Sequence, residues 1–211
     1  MRAALAALVI AAALVAAGCG AKGAGSANGC EKVEKPAARA AQQIQPPKTR
    51  LDPTKTWALN FQTNCGTFVV RLDTRLAPNT TASLVKLARV GFFDDTIFHR
   101  IAPGFVIQGG DPTQTGTGGP GYWMRDLPPA NTRYTKGTVA MAKAANDPAG
   151  LAGSQFFVVT AGDAGLPPDY AIAGKVTQGM SVVDRIGRLG DQTEHPTQTV
   201  LIRKVLVVEH A

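Results

Sequence analysis

Near the middle of the chain the sequence is Phe98-His99-Arg100-Ile101-Ala102-Pro103-Gly104-Phe105-Val106-Ile107-Gln108-Gly109-Gly110-Asp111. Two short apolar runs flank Pro103-Gly104, a dipeptide typical of tight turns, so the segment predicts two strands joined by a turn. Arg100 stands inside the first apolar run, where a charged side chain needs a partner or a function. The two strands are therefore candidates for the core, and Arg100 is a candidate for the functional site.

The rest of the sequence predicts more strands than helices. Alternation of polar and apolar residues predicts a hairpin from Trp57 to Leu72, with its turn at Asn64-Cys65-Gly66. A helix is expected over residues 78–90, with Thr80 or Thr81 as N-cap and Gly91 at its end, and a second helix over residues 180–189. Further strand-like runs occupy residues 96–101, 105–108, 137–142, 156–160, 171–176 and 200–208. Many short strands with two isolated helices predict a mainly β fold, a closed antiparallel barrel of about eight strands capped by the helices.

Composition divides the chain near Trp57. All 8 Phe, 2 Trp and 3 Tyr lie at or after that residue, so residues 1–55 have little from which to build a core. Those residues also hold 8 Lys and Arg against 3 Asp and Glu, whereas residues 56–211 hold 14 against 12. The net charge of +7 therefore belongs mostly to the first segment. We expect one folded domain over residues 56–211, without the basic stripe that a nucleic-acid partner requires.

The N-terminus has the features of an export signal. Arg2 is followed by fifteen apolar residues, which suit the hydrophobic part of a signal peptide and are too few to span a bilayer. The sequence Ala16-Ala17-Gly18-Cys19 resembles the bacterial lipobox, although Ala16 stands where that motif usually has leucine. This resemblance implies a lipoprotein signal peptide over residues 1–18, lipidation of Cys19, and anchoring on the extracytoplasmic face of the cell membrane. The alternative is an ordinary signal peptide cleaved near Ala17.

Residues 19–55 lack a sustained strand or helix period and are rich in Gly, Ala and Pro, so we expect a flexible tether. Two cysteines remain besides Cys19. In an oxidising compartment Cys30 and Cys65 could form a disulfide, and two unpaired thiols are the alternative.

Several kinds of site are not supported. His99, His195 and His210 are far apart in sequence and lack metal-ligand spacing. The run Gly116-Thr-Gly-Gly-Pro-Gly121 has the letters of a dinucleotide-binding loop, but no strand precedes it and Pro120 interrupts the helix start. We therefore expect neither a metal nor another cofactor.

A second run, Gly153-Ser-Gln-Phe-Phe157, follows Val139-Ala-Met-Ala-Lys143. Together with the segment from Phe98 to Asp111, these runs resemble the signature of the cyclophilins, which are peptidyl-prolyl cis-trans isomerases. The resemblance extends from about Trp57 to about Val208. It implies an enzyme that accelerates rotation about X-Pro bonds in exported proteins and so assists their folding.

The resemblance assigns roles to residues at matching positions. Arg100 would donate to the twisted amide, and Gln108 would orient Arg100. The substrate would contact the residues Phe105, Val106, Lys143, Gln155, Phe157, Leu166 and Tyr170. The reaction breaks no covalent bond, so no nucleophile or metal is needed. Strand alternation places Phe98 and Phe156 in the core, with Arg100 and Phe157 in the groove.

This chain departs from the family at Gly165, where a bulky aromatic residue usually covers the groove rim, and at Ala173 and Tyr170. These changes predict a wider pocket and put cyclosporin binding in doubt. The alternative function is a non-catalytic module that binds proline-containing peptides or acts as a chaperone on a membrane-anchored lipoprotein. In either case we expect a monomer whose partners are proline-containing unfolded or exported polypeptides.

Overall fold

The computed structural model describes residues 29–210, which form a mainly β domain. The two helices are α1 (Pro78–Arg89) and α2 (Met180–Gly187). The strands are β1 (Thr56–Thr63), β2 (Gly66–Leu72), β3 (Thr96–Ile97), β4 (Arg100–Ala102), β5 (Val106–Gly109), β6 (Met124–Arg125), β7 (Thr138–Met141), β8 (Leu151–Ala152), β9 (Phe156–Val159), β10 (Ile172–Gln178) and β11 (Leu201–His210). The hairpin predicted from Trp57 to Leu72 is present as β1 and β2. The run expected over residues 96–101 is divided into β3 and β4.

Nine strands form one curled sheet in the order β3-β11-β1-β2-β10-β7-β9-β5-β4, and β6 pairs with β8 separately. The expected closed barrel of about eight strands is wrong, because among the described residues β3 and β4 do not pair and the sheet remains an open half-barrel. The chain connectivity explains why β3 and β4 do not pair. Only Phe98 and His99 separate β3 from β4, so the two edge strands are consecutive parts of one extended run and cannot form a ladder with each other.

Aromatic side chains fill the concave side of the sheet. Phe61 stacks on Phe68 with ring centroids 4.8 Å apart, and Phe156 contacts Phe61, Phe93 and Phe98 at 5.2 to 6.1 Å. All of these rings are buried, as expected for Phe98 and Phe156. Stacked and edge-to-face aromatic pairs stabilise a core beyond the area that they bury. The next residue of β9, Phe157, and Arg100 of β4 are left to face the opposite side.

The start of α1 differs from expectation. The N-cap is Ala77, with Pro78 at the first helical position, rather than Thr80 or Thr81. Ala77 has no side chain that can cap the helix, and the role passes to Asp126, which directly follows β6. Its Oδ2 accepts hydrogen bonds from the backbone N–H and the hydroxyl of Thr80, both at 2.7 Å. A distant carboxylate therefore satisfies the first turn of α1.

The second helix follows Gly179, which has a φ of +76°. A Cβ there would lie 2.3 Å from the carbonyl oxygen of Thr67, so both the backbone conformation and the close approach of β2 require glycine. Neither α1 nor α2 is long and apolar enough to cross a membrane.

The segment expected to be a flexible tether lies against the domain wherever the structure describes it. The N–H of Arg39 donates to the carbonyl of Pro112 at 2.9 Å, and that of Ile44 donates to the carbonyl of Pro120 at 2.8 Å. A period-free composition does not exclude order when backbone donors find partners on a neighbouring loop. Residues 1–18, with the expected signal peptide, and residues 19–28 of the expected tether, including Cys19, lie outside the described residues.

Of the two alternatives for the remaining cysteines, the structure contains the disulfide between Cys30 and Cys65. It joins the start of the described N-terminal segment to the turn between β1 and β2. Both cysteines are buried. The N–H of Glu31 donates to the carbonyl of Asn64 at 2.8 Å beside the bridge, which extends the attachment into the backbone.

Replacing Asp126 by alanine should lower the free energy of unfolding by about 1–3 kcal/mol, because buried donors at the start of α1 lose their acceptor. Urea-induced unfolding monitored by circular dichroism would measure the change. A matched control is Asp184→Ala, which removes an exposed ion pair with Lys136 and should cost under about 1 kcal/mol. Equal effects of the two substitutions would contradict the capping role.

Candidate active site

A cavity of about 180 Å³ opens on the convex side of β4, β5 and β9. It is lined by Arg100, Phe105, Val106, Gln108, Ala142, Lys143, Phe157, Leu166 and Tyr170. Of the residues proposed from the sequence for catalysis and substrate contact, only Gln155 is not in this lining. Gln155 instead lies in a neighbouring cavity of about 330 Å³ that shares Gln108, Ala142 and Lys143 with the first. We call the smaller cavity the apolar pocket and the two together the groove.

The register of three antiparallel strands brings the central residues side by side. Arg100 of β4 is paired with Gln108 of β5, which is paired with Phe157 of β9. Because directly opposed residues point to the same face of a sheet, the three side chains form one row across the groove. Residues between them in sequence, such as Ile101 and Ile107, point into the core.

A chain of hydrogen bonds runs along the polar side of this row. Nη1 of Arg100 donates to Oε1 of Gln108 at 3.2 Å, and Nε2 of Gln108 donates to Oε1 of Gln155 at 3.1 Å. Nε2 of Gln155 in turn donates to the carbonyl of Gly118 at 3.0 Å. Each amide therefore has a fixed orientation, and the guanidinium is linked through two glutamines to the glycine-rich loop.

Glu194 holds Arg100 from the other side, and no local sequence pattern indicated this role. Its Oε2 accepts from Nε of Arg100 at 2.6 Å, and its carbonyl accepts from the N–H of Ile101 at 2.8 Å. Glu194 has a φ of +65°, an uncommon backbone conformation for a residue other than glycine. The turn around it is fixed by Asp191, whose Oδ1 accepts from the N–H groups of Thr193 and His195. This long-range contact could not be inferred from local sequence.

Tyr134 is the second residue that sequence reasoning missed. It is fully buried behind the apolar pocket, where its ring packs against Tyr170 and Phe157 at centroid distances of 6.0 and 6.4 Å. Its hydroxyl donates to the carbonyl of Tyr170 at 2.7 Å and accepts from the N–H of the same residue at 3.0 Å. Tyr134 therefore fixes the position of Tyr170, which contacts Phe157 edge-on at 5.6 Å.

Lys143 lies between the two cavities. Its Nζ donates to the carbonyl of Asp147 at 3.1 Å and lies 5.3 Å from the centre of the Tyr170 ring. Trp123, which is 59% exposed, lines the larger cavity beside Gln155. The groove thus has an apolar pocket at one end and a more open, partly aromatic cavity at the other.

Two of the expected departures from the cyclophilin pattern are located at the groove and one is not. Gly165 has a φ of +63° and open space around the place of a Cβ, so no side chain covers the rim there. Tyr170 lines the apolar pocket. Ala173, in contrast, is buried in the main core, so the expectation that it widens the pocket is wrong, because its strand position turns it to the other face of β10.

His99, which precedes Arg100 in the sequence, lies in a partly buried environment. Burial is the largest influence on His99 and lowers the pKa of its imidazole, which keeps the ring neutral next to the guanidinium. Within residues 29–210, no group of three or more His, Cys, Asp or Glu side chains is arranged to hold a metal ion. The arrangement offers a cation and amide donors beside an apolar pocket.

The buried phenol of Tyr134 leads us to predict how the free energy of unfolding depends on pH. Burial raises its pKa to about 12, above the value of about 10 for an exposed tyrosine. The neutral phenol therefore stabilises the fold fully below pH 10, and this contribution is lost as the pH rises towards 12. We expect the free energy of unfolding to fall more steeply between pH 10 and 12 for the wild type than for Tyr134→Phe. Denaturant titrations at several pH values would measure it, with Tyr170→Phe as control that should keep the steep fall.

Comparison with known proteins agrees with this geometry. Residues 58–207 match the model of the cyclophilin-type peptidyl-prolyl cis-trans isomerase family. The chain is 37% identical over 154 residues to a peptidyl-prolyl cis-trans isomerase-like 1 protein of Gibberella zeae, covering 71% of this chain and 93% of that protein. It is 33% identical over 153 residues to an isomerase of Arabidopsis thaliana, covering 72% of this chain and 93% of the relative.

Solved structures give the same result. A cyclophilin-type isomerase of Cryptosporidium parvum superposes with a TM-score of 0.67 at 29% identity, covering 74% of this chain and 99% of that one. A second crystal structure of that protein, determined in the presence of the dipeptide Ala-Pro, gives a TM-score of 0.65. These relatives are eukaryotic, and the part of the chain that matches the family model begins at residue 58, well after Cys19. The chain belongs to the cyclophilin-type peptidyl-prolyl cis-trans isomerase family.

Proposed function

We propose that Arg100 is the catalytic residue of this isomerase and that the apolar pocket holds the proline ring of the substrate. The observation that supports the proposal is the position of the guanidinium at the edge of that pocket. Its Nε and Nη1 are engaged by Glu194 and Gln108, and among the described residues no group accepts a hydrogen bond from Nη2. A donor is therefore available beside the pocket.

A hydrogen-bond donor at this position can accelerate the reaction. Rotation about an X-Pro bond has a barrier of about 18–20 kcal/mol because the amide must lose its conjugation. In the twisted state the nitrogen regains its lone pair and accepts a hydrogen bond, which the planar ground state does not. A guanidinium that is always charged and held in place stabilises the twisted state selectively, and only such selective interactions accelerate a reaction.

The apolar lining supplies the other requirement, which is to hold one side of the bond while the other turns. Phe105, Val106, Phe157 and Leu166 surround the ring position. The substrate residues that precede proline would lie towards the larger cavity, along Gln155 and the backbone of Lys143. The Ala-Pro dipeptide present with the related Cryptosporidium protein supports X-Pro segments as the substrate class.

The test is proline isomerisation in a short X-Pro peptide. Arg100→Ala should lower kcat/KM by about 100-fold or more while peptide binding persists, because the apolar lining is intact. Arg100→Lys should recover only part of the loss, since an ammonium lacks the planar fork. Arg71→Ala, an exposed arginine on β2, is the matched control and should leave the rate unchanged.

A rate within a few fold of wild type for Arg100→Ala would exclude the proposed role. If the wild type itself bound the peptide and stayed folded without accelerating isomerisation, the alternative of a non-catalytic peptide-binding or chaperone module would replace the enzyme.

We further propose that the enzyme is exported, is lipidated at Cys19 and acts as a monomer on proline-containing exported polypeptides at the extracytoplasmic face of the membrane. The apolar run before Ala16-Ala17-Gly18-Cys19 supports export and lipidation. A disulfide between Cys30 and Cys65 also favours an oxidising compartment over the cytosol.

Expression of the full chain in a bacterial host that processes lipoproteins tests the anchor. The wild type should sediment with membranes and incorporate labelled fatty acid, whereas Cys19→Ala should lose the label and become soluble after cleavage or remain as the unprocessed precursor. Cys30→Ser is the control and should keep the label. Recovery of unlabelled wild type in the soluble fraction would contradict lipidation and leave an ordinary secreted enzyme.

A further inference from the structure

Residues 30–55 form an extended segment that crosses the domain outside the part matched by the family, which begins at residue 58. We call this segment the strap. At one end it is fixed by the disulfide to Cys65, and at the other it continues into β1. Apart from Cys30, none of its residues is buried. From Val33 to Gln42 the half-buried positions recur every third residue, as expected for a polyproline II segment that contacts a surface along one edge.

Between its ends the strap holds the loop of residues 112–121, which we call the glycine loop. The N–H groups of Arg39 and Ile44 donate to the carbonyls of Pro112 and Pro120, one at each end of the loop. From the loop, Nε2 of Gln114 donates to the carbonyl of Pro36 at 3.0 Å. The strap and the glycine loop are therefore joined at three points by hydrogen bonds, two of which are backbone pairs.

The glycine loop is also organised from inside. The carboxylate of Asp111 accepts from the N–H groups of Thr113, Thr115, Gly116 and Gly118 at 2.7 to 3.1 Å. These bonds lower the pKa of Asp111 against the opposing effect of its burial, so the carboxylate stays charged. The loop thus has a defined shape, but its placement relative to the sheet depends on contacts outside it.

The position of the glycine loop affects the side chains of Arg100, Gln108 and Gln155 through hydrogen bonds. The carbonyl of Gly118 accepts from Gln155, which accepts from Gln108, which accepts from Arg100. Gly116, Thr117 and Gly118 also form one wall of the larger cavity. A shift of the glycine loop would therefore move the acceptor that orients both glutamines and would change the cavity that receives the residues before proline.

We propose that the strap is a positioning segment: held by the Cys30–Cys65 disulfide, it fixes the glycine loop and through it the orientation of Gln155, Gln108 and Arg100. Ile44 and Leu51 pack partly buried against the core, but Cys30 is the only buried residue of the strap, so we expect the covalent attachment to keep the strap in place. The proposal rests on the isomerase activity proposed above.

The experiment compares the oxidised and reduced forms of the chain from residue 19 onward carrying Cys19→Ala, so that Cys30 and Cys65 are its only cysteines. Two quantities are measured well below the melting temperature: kcat/KM for an X-Pro peptide, and hydrogen exchange of the amides of Gly116 and Gly118 against those of β1 and β9. The double variant Cys30→Ser/Cys65→Ser is the control and should match the reduced form with or without reductant.

We expect reduction to lower kcat/KM by about 10-fold and to accelerate exchange in the glycine loop while β1 and β9 stay protected, because small displacements of catalytic groups reduce rates strongly. An unchanged rate would overturn the proposal, whether or not the loop amides exchange faster. An oxidised form that is itself inactive would contradict the proposed function, and the loop amides would still show whether the strap holds the loop.

If reduction of the disulfide also accelerates amide exchange in β1 and β9, the proposal is tested instead with Ile44→Pro, in which the disulfide stays intact. This substitution removes the N–H that bonds Pro120 and suits an extended backbone. Because the side chain of Ile44 packs against the core, Ile44→Ala, which loses that packing and keeps the N–H, is the matched control. A lower kcat/KM for Ile44→Pro alone supports the proposal, and equal rates for the two variants overturn it.

Discussion

The guanidinium of Arg100 is held from two sides, by the carboxylate of Glu194 at Nε and by the amide of Gln108 at Nη1, and the groove is arranged around it. The ion pair is partly exposed, with the side chain of Arg100 at 35% and that of Glu194 at 45%. A pair in that position contributes little to the free energy of unfolding, about 0–1 kcal/mol. Its effect is on orientation, since an arginine loses rotamer freedom before the substrate arrives rather than when it binds. The contacts therefore serve the geometry of the site more than the stability of the domain.

The parts of the fold that follow local rules could be predicted from the sequence. The hairpin from Trp57 to Leu72 and the division of Phe156 and Phe157 between core and groove follow from the two-residue period of a strand. Phe98 and Arg100 are two positions apart and would share a face of one regular strand, so alternation was the wrong reason for placing them on opposite sides. They are separated because the run is broken between β3 and β4. The closure of the sheet could not be predicted, because it depends on whether the two edge strands of the sheet, β3 and β4, pair with each other. In this chain they are neighbours in sequence and do not pair. The two-residue strands β6 and β8 were missed because two residues cannot show a period.

The residues of the site divide in the same way. The pocket lining could be proposed because one long motif contains Arg100 and Gln108, which lie on two adjacent strands, and Phe105, which lies in the turn between them. Glu194 and Tyr134 could not, since each acts through a backbone or side-chain contact across the fold. Asp126 is a third case, because the N-terminus of α1 has suitable capping residues nearby and uses a carboxylate 46 positions away in the chain instead. The local preference for a Thr N-cap did not decide the start of α1, because the buried N–H and hydroxyl of Thr80 are satisfied by Asp126.

The segment before the family domain shows why composition alone misjudged order. In this extended segment only Cys30 is fully buried, and Ile44 and Leu51 pack partly buried against the core, so hydrophobic contacts offset little of the entropy of ordering its residues. The disulfide changes this balance by acting on the unfolded state. By closing a loop of 35 positions it removes conformations from the unfolded chain, which the chain-entropy account values at roughly 3–4 kcal/mol. The hydrogen bonds to Pro112 and Pro120 then form within an already restricted segment and become favourable at lower cost. Order in residues 30–55 is thus a property of the cross-link and the loop together. The sequence offered the disulfide between Cys30 and Cys65 as one alternative, but it contained no signal for the hydrogen bonds to the loop.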